Sequence, residues 1–204
     1  MAVEIRTYVR EDRRALEELA IETSCTNDSK VKRLEDIMHP EFYFDIEYAY
    51  HLDYEPESIL IAEDNGQLVG YLTGCVDVRR YERTMAYKIV PEIAFKLFIG
   101  EYDMKTAKIV GKALKHPIQL CRAGPTASFF HINIAGGYRG QGIGKELVER
   151  YLEYLKKSGQ DKCSVGIFSG NERALRFFSK NSFVETRRNR FLDWEIVNLE
   201  RSLR

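Results

Sequence analysis

The order of apolar and polar residues predicts a strand, a helix and a hairpin in the first third of the chain. From Val3 to Val9, β-branched residues alternate with charged or polar ones, as in a half-buried strand. Residues 15–20 then place their apolar side chains on one face of a helix. The apolar runs 58–63 and 67–76 flank Asn65-Gly66, which is a strong signal for an antiparallel hairpin.

The pattern in the last third predicts two further strands, a long helix and a terminal strand pair. Residues 129–134 are aromatic or β-branched, as in a half-buried strand, and the short apolar run 163–168 predicts another. Between them, apolar residues recur at helical spacing until Gly159 supplies the helix end. These helix residues are Ile143, Leu147, Val148, Tyr151, Leu152 and Leu155. Residues 183–188 and 189–197 predict a closing strand pair.

Three more helices are predicted in the middle of the sequence. One runs from Asp28 to Met38, and two others, at 89–99 and 104–114, are separated by Gly100. Because strands and helices are interspersed along the whole chain, the predicted fold class is α/β (α+β).

Composition indicates an ordinary soluble globular protein. The 204 residues are 44% hydrophobic and 30% charged, with a formal net charge of zero, and this length predicts a single domain over 1–204. No apolar run is long enough to span a membrane and the start resembles no signal peptide, so we expect a cytoplasmic protein without membrane contact. The four cysteines include no C-x-x-C pair, and no metal is expected.

Two stretches of opposite charge are candidates for binding. Residues 35–57 contain eight acidic side chains, six aromatic ones and no Lys or Arg, whereas residues 79–125 contain ten Lys or Arg and four acids. The acidic stretch either receives a cationic amine through carboxylates and ring faces, or is a solvated surface whose aromatic side chains pack inward. The basic stretch either covers an acceptor or binds an anion, or is a packing or dimer element.

The most informative motif is a glycine-rich turn between the strand at 129–134 and the helix that follows. Gly140, Gly142 and Gly144 let the backbone approach a ligand closely, and the start of a helix offers unpaired N–H groups at the positive end of its dipole. This combination predicts an anion site, most simply for phosphate.

The segment 139–144, Arg-Gly-Gln-Gly-Ile-Gly, resembles the Q/R-x-x-G-x-G/A pyrophosphate loop of the GNAT family, the Gcn5-related N-acetyltransferases. A second segment, 171–183, resembles the family's N-x-x-A-x-x-x-Y-x-x-x-G-F pattern, in which Asn171 would cap a helix. Two residues depart from that pattern, since Phe178 replaces the usual tyrosine and Ser182 the usual glycine.

The resemblance implies a GNAT fold, in which helices flank a central, mixed, mostly antiparallel and twisted sheet. Residues 79–125 would be a helical insertion between the third and fourth strands. It also implies acetyl-CoA as co-substrate and an amine acceptor, with the Ile134 backbone N–H near the thioester carbonyl. The implied cofactor-binding residues are Ile134, Ala135, Arg139, Gly140, Gln141, Gly142, Ile143, Gly144, Lys145, Asn171, Ala174, Phe177 and Phe178.

A protonated amine must lose a proton before it attacks, so a general base is required. The candidates are His131 and an acid from residues 35–57. Tyr138 or Ser179 could stand in for the tyrosine lost at Phe178. That loss also favours an alternative function, a non-catalytic acyl-CoA-binding sensor or interaction module. The basic stretch carries no nucleic-acid motif, so a nucleic-acid partner is not expected, and exposed terminal strands allow a homodimer.

Overall fold

A single seven-stranded sheet organises the protein. The computed structural model describes residues 3–24, 37–115, 127–192 and 194–204. The strands are β1 (Glu4–Thr7), β2 (Leu60–Asp64), β3 (Gln67–Cys75), β4 (Ser128–Ile134), β5 (Lys162–Phe168), β6 (Val184–Phe191) and β7 (Trp194–Ser202). They lie in the order β1-β2-β3-β4-β5-β7-β6, and only β4 and β5 pair in parallel. The prediction of a mixed, mostly antiparallel sheet is therefore confirmed.

Eight α-helices surround the sheet in the part of the chain that the structure describes. They are α1 (Arg13–Ser24), α2 (Pro40–Glu47), α3 (Ala49–Tyr54), α4 (Val78–Thr84), α5 (Val90–Ile99), α6 (Met104–Leu114), α7 (Ile143–Lys157) and α8 (Glu172–Lys180), and one π turn, Met85–Ile89, joins α4 to α5. The helices predicted at 89–99 and 104–114 are confirmed, whereas α2, α3 and α4 were missed. Most of the helix predicted at 28–38 lies outside the described residues.

The two faces of the sheet carry different layers. α7 buries Leu147 and Tyr151 on one face, in a cluster that includes Phe130. On the other face, α1 and α3 pack against β3 through Leu16 and Tyr71. The insertion between β3 and β4 extends this second layer in a third cluster, whose members include Phe42, Tyr50, Ile89, Ile93, Tyr102 and Phe129.

The boundary predicted inside the terminal strand pair was wrong. The turn lies at Leu192, which has a φ of 53°, and not between residues 188 and 189. The sequence from Glu185 to Arg190 is polar at every position, so it contains no apolar alternation from which to locate the turn. As the last strand in the sheet order, β6 needs no apolar pattern on both faces.

Candidate active site

A cleft opens where β4 and β5 diverge. The two strands pair only at Ser128 with Cys163 and at Phe129 with Ser164, although β4 continues to Ile134. The Ala135 N–H donates to the Val69 carbonyl on the other side of β4, at 2.9 Å. Because N–H directions alternate along a strand, the Ile134 N–H points toward the cleft. The Ile134 carbonyl accepts a hydrogen bond from Arg139 Nε, at 2.8 Å.

The glycine-rich turn closes one end of this cleft. Gly140 and Gly142 have φ values of 81° and 88°, in the left-handed region, and a Cβ at either would meet no described atom within 4 Å. The first backbone bond of α7 runs from the Glu146 N–H to the Gly142 carbonyl, at 3.1 Å. The N–H groups of residues 143–145 therefore precede the hydrogen-bonded helix and are oriented as an anion site requires.

Positive charge is concentrated at this turn. Burial lowers the pKa of the Arg139 guanidinium, and the nearby charge of Arg173 lowers it further, while Glu22 acts in the opposite sense. Two guanidinium groups close enough to repel each other would both be stabilised by an anion bound near them. Gln141 turns back on the loop and donates its Nε2 to the Gly137 carbonyl, at 3.0 Å.

The second motif borders the same end of the cleft. Asn171 caps α8, since its Oδ1 accepts the Ala174 N–H at 3.1 Å. Phe177 is half-buried beside the loop, where a Cβ on Gly144 would lie 3.5 Å from its ring. Phe178 is only 3% exposed and packs in an aromatic cluster with Phe177, Phe130 and Phe183.

On the opposite face of β4, the two kinds of predicted base lie side by side. His131 Nε2 is 3.7 Å from Glu47 Oε2, and both side chains are partly exposed. His131 faces α2 and α3, whereas Ile132 and Ile134 pack into the core under α7, as strand alternation predicts.

Beneath His131 lies a second histidine, His51, which no sequence motif singled out. His51 is 1% exposed and its Nδ1 donates to the Gly74 carbonyl at 2.7 Å, so the proton must reside on Nδ1. Burial, followed by the charge of His131, lowers the pKa of His51 to about 3, and the bond to Gly74 opposes this only partly. His51 is therefore a neutral imidazole that packs 5.6 Å from the ring of His131.

A chain of hydroxyl groups lies beside this pair, where the Tyr48 ring is 6.1 Å from that of His131. Tyr48 and Tyr71 hydroxyls are 2.9 Å apart, and Asn133 Nδ2 donates to the Tyr71 oxygen at 2.8 Å. Tyr43 extends the chain toward the surface, with 3.4 Å between its hydroxyl and that of Tyr48. Burial raises the pKa of Tyr48, and it raises that of Tyr71 to about 12, so both remain protonated hydrogen-bonding groups at neutral pH.

Most acids of the 35–57 stretch already have partners. Asp45 pairs with Lys96 at 2.9 Å, Asp53 pairs with Arg13 at 2.6 Å, and the buried Glu55 accepts the Tyr50 hydroxyl. Phe42, Tyr48 and Tyr50 are buried, which favours the packing interpretation of the aromatic residues. Glu47 is the acid of the described part of this stretch that approaches His131; Glu35 and Asp36 lie outside the described residues.

The insertion also contributes a side chain here. The Tyr81 ring of α4 lies 5.0 Å from Phe129 and 4.9 Å from Tyr50. Burial raises the pKa of Tyr81, and the negative charge of Glu47 raises it further. The insertion, which was a binding candidate only because of its basic charge, thus borders the pair formed by His131 and Glu47.

The two other hydroxyl candidates do not replace the missing tyrosine at its own position. The Tyr138 hydroxyl donates to Asp64 Oδ2 at 2.8 Å, and that bond raises its pKa. Ser179 is exposed on α8. No helix in the described ranges has the length and apolarity that crossing a membrane requires, and these ranges contain no group of three potential metal ligands from His, Cys, Asp and Glu.

Comparison with solved structures supports the same architecture. The chain is similar to the crystal structure of SsHAT over 100% of both chains, with a TM-score of 0.72 and 22% identity. It is also similar to yncA, a putative acetyltransferase from Salmonella typhimurium with its cofactor acetyl-CoA (TM-score 0.58, 14% identity, 100% of this chain and 95% of that one). A third similar structure is the PaiA N-acetyltransferase from Thermoplasma acidophilum in complex with coenzyme A (TM-score 0.60, 17% identity, 97% and 98% covered).

Sequence comparison gives the family. No curated protein matches the chain significantly. The model of the acetyltransferase (GNAT) family matches residues 29–183, which is well over half of the sequence. The chain therefore belongs to the GNAT acetyltransferase family.

Proposed function

We propose that this protein transfers an acetyl group from acetyl-CoA to an amine acceptor by direct attack. The observation that carries the proposal is the junction of two features, the cleft between β4 and β5 and the glycine-rich turn at one end of it. An extended thioester with a pyrophosphate needs such a combination: a slot for its chain and an anion site beside it.

The donor would bind through backbone groups more than through side chains. Residues 139–145 would hold the pyrophosphate, with N–H groups at the start of α7 and the charge of Arg139. Ile134 and Ala135 would border the thioester, and the Ile134 N–H would stabilise the charge that develops on its carbonyl oxygen. Asn171, Ala174 and Phe177 would line the pantetheine chain. Phe178, predicted to join them, is only 3% exposed, so its ring would support Phe177 from the core instead of touching the donor.

The acceptor would approach from the face that carries His131 and Glu47. An alkylammonium group, with an ordinary pKa of about 10.4, must release a proton before its nitrogen can attack. We assign that proton to His131 Nε2, because Glu47 lies 3.7 Å away and would stabilise the imidazolium. His51 is unsuited to the task, since its pKa is lowered to about 3. The partly exposed carboxylate of Glu47 also favours a cationic amine.

The CoA thiolate would leave without a proton donor at residue 178, where the family usually has tyrosine. The amine nitrogen forms a bond to the acetyl carbon, the carbon–sulfur bond breaks, and the sulfur takes the electron pair. Phe178 has no proton to donate, but a thiol with an ordinary pKa of about 8.5 can leave as the thiolate. We therefore expect turnover that is slower than with an acid in place, rather than none.

The same phenylalanine supports the alternative function, a non-catalytic acyl-CoA-binding module. Release of CoA thiol from acetyl-CoA, measured over a panel of amines, separates the two. The transferase predicts amine-dependent release that falls about 100-fold or more in His131→Gln while acetyl-CoA affinity is retained. Glu47→Gln should lower the amine-dependent release of CoA thiol by a smaller factor. If the protein binds acetyl-CoA tightly but no amine in the panel causes release of CoA thiol, the protein is a binding module and not a transferase.

A further inference from the structure

The insertion exposes a row of apolar side chains that the proposed function does not use. α4, the π turn and α5 follow one another without a break from residue 78 to residue 99. Ile93 and other residues on one side of this helix are buried against the body of the protein. On another side, Phe98 is 87% exposed, Tyr87 78% and Phe95 61%. At about 200 Å² for each aromatic side chain, these rings leave roughly 450 Å² in water.

In area this row equals the largest apolar patch of a typical monomer, which is about 300–600 Å², and such patches often mark binding sites. Val90 and Ile99 flank the rings and are each about half exposed, and the exposed Pro91 and Ala94 continue the row. A standard interface covers about 800 Å² of each partner, so this face could form the apolar centre of one.

The charges at the two ends of the row are complementary to those of a second copy of the same chain. Lys88 lies near one end and Glu101 just beyond the other, both are exposed, and neither makes an ion pair with another described residue. If two copies crossed antiparallel between Ala94 and Phe95, Lys88 would lie opposite Glu101 of the partner subunit. By the same two-fold symmetry, Pro91 would lie opposite Phe98 of the partner subunit.

We propose that two copies of this chain form a symmetric dimer through the apolar face of the helix at 85–99. The apolar residues then meet apolar residues, and both ends of the contact bring together opposite charges. A membrane surface fits the pattern less well, because helices that lie on anionic lipid carry mainly Lys and Arg beside their apolar face. Here one end of the row is acidic.

Analytical ultracentrifugation of the full chain tests the proposal. We expect the wild type to sediment as a dimer at micromolar concentration and Phe98→Glu to sediment as a monomer. Val184→Glu is the matched control, because Val184 is 67% exposed on β6, away from the helix, and its substitution should leave the dimer intact. A wild type that remains monomeric at high micromolar concentration would overturn the proposal.

A charge exchange tests the antiparallel register. Lys88→Glu should weaken the dimer about tenfold, because two symmetric attractions become repulsions. Adding Glu101→Lys to that variant should restore the affinity. Failure of the double variant to recover would contradict this arrangement even if the wild type is a dimer. Monomers that bind anionic phospholipid vesicles only while Phe98 is present would show that the face contacts lipid instead.

Discussion

The buried His51 makes a sharp prediction about stability in acid. Its pKa is lowered from 6.5 to about 3 in the folded protein, chiefly by burial. Between these values the unfolded chain binds a proton that the folded protein excludes, so the free energy of unfolding must fall as the pH falls. At about 1.36 kcal/mol for each pKa unit, His51 accounts for roughly 2 kcal/mol of lost stability between pH 7 and pH 5.

Urea unfolding at pH 7 and pH 5, at constant ionic strength, measures this loss of stability. His51→Asn keeps an amide N–H that can reach the Gly74 carbonyl but cannot take up a proton, so it should lose the roughly 2 kcal/mol contribution to the pH dependence. Ser58→Ala is the matched control, because Ser58 Oγ also donates to the Gly74 carbonyl, at 2.5 Å, and does not titrate. Ser58→Ala should be less stable than wild type with an unchanged pH dependence.

Comparing the wild type with the two variants removes the contribution of the other titrating groups to the pH dependence. Glu55, whose pKa is raised mainly by burial, acts in the opposite direction as the pH falls, but it is present in all three. If His51→Asn and the wild type lose the same free energy between pH 7 and pH 5, the assignment of a neutral, buried His51 is wrong.

Two further predictions concern backbone positions and are measured by thermal or urea unfolding. Gly74→Ala should lower the free energy of unfolding by about 1–3 kcal/mol, because the new Cβ would lie 2.2 Å from the fully buried ring of Tyr151. Gly111→Ala is the control in helix α6. No described atom lies near its Cβ, so this change should raise the free energy of unfolding by up to about 1 kcal/mol. Equal effects of the two changes would refute the close contact. Ser182 has a φ of 62°, so Ser182→Gly should raise the free energy of unfolding by about 0.5–1 kcal/mol and Ser182→Ala should not.

Local sequence signals predicted the backbone conformation of the glycine-rich turn and the start of α8 well. The left-handed glycines at 140 and 142 and the cap at Asn171 lie within a few residues of the structures that they specify. The hairpin at Asn65-Gly66 is equally local, and both of its residues have positive φ. The face of β4 that His131 occupies is equally local, because side chains alternate between the two faces of a strand.

The surroundings of His131 could not be predicted, because they depend on contacts between distant parts of the chain. Glu47 and His131 are far apart in sequence and meet only when α2 lies over β4. α2 and α3 are short helices rich in aromatic residues on several sides, so they show no clear helical period. Nothing near His51 indicates its burial, and nothing near Tyr81 indicates that the insertion folds back over this face.

A crystal structure of the protein with acetyl-CoA would show whether the cleft between β4 and β5 binds the donor. We expect pyrophosphate oxygens about 3 Å from the N–H groups at the start of α7, and the thioester carbonyl oxygen about 3 Å from the Ile134 nitrogen. The acetyl carbon should face His131 and Glu47. The proposed function is wrong if acetyl-CoA lies outside the cleft between β4 and β5, or if the protein does not bind acetyl-CoA at millimolar concentration.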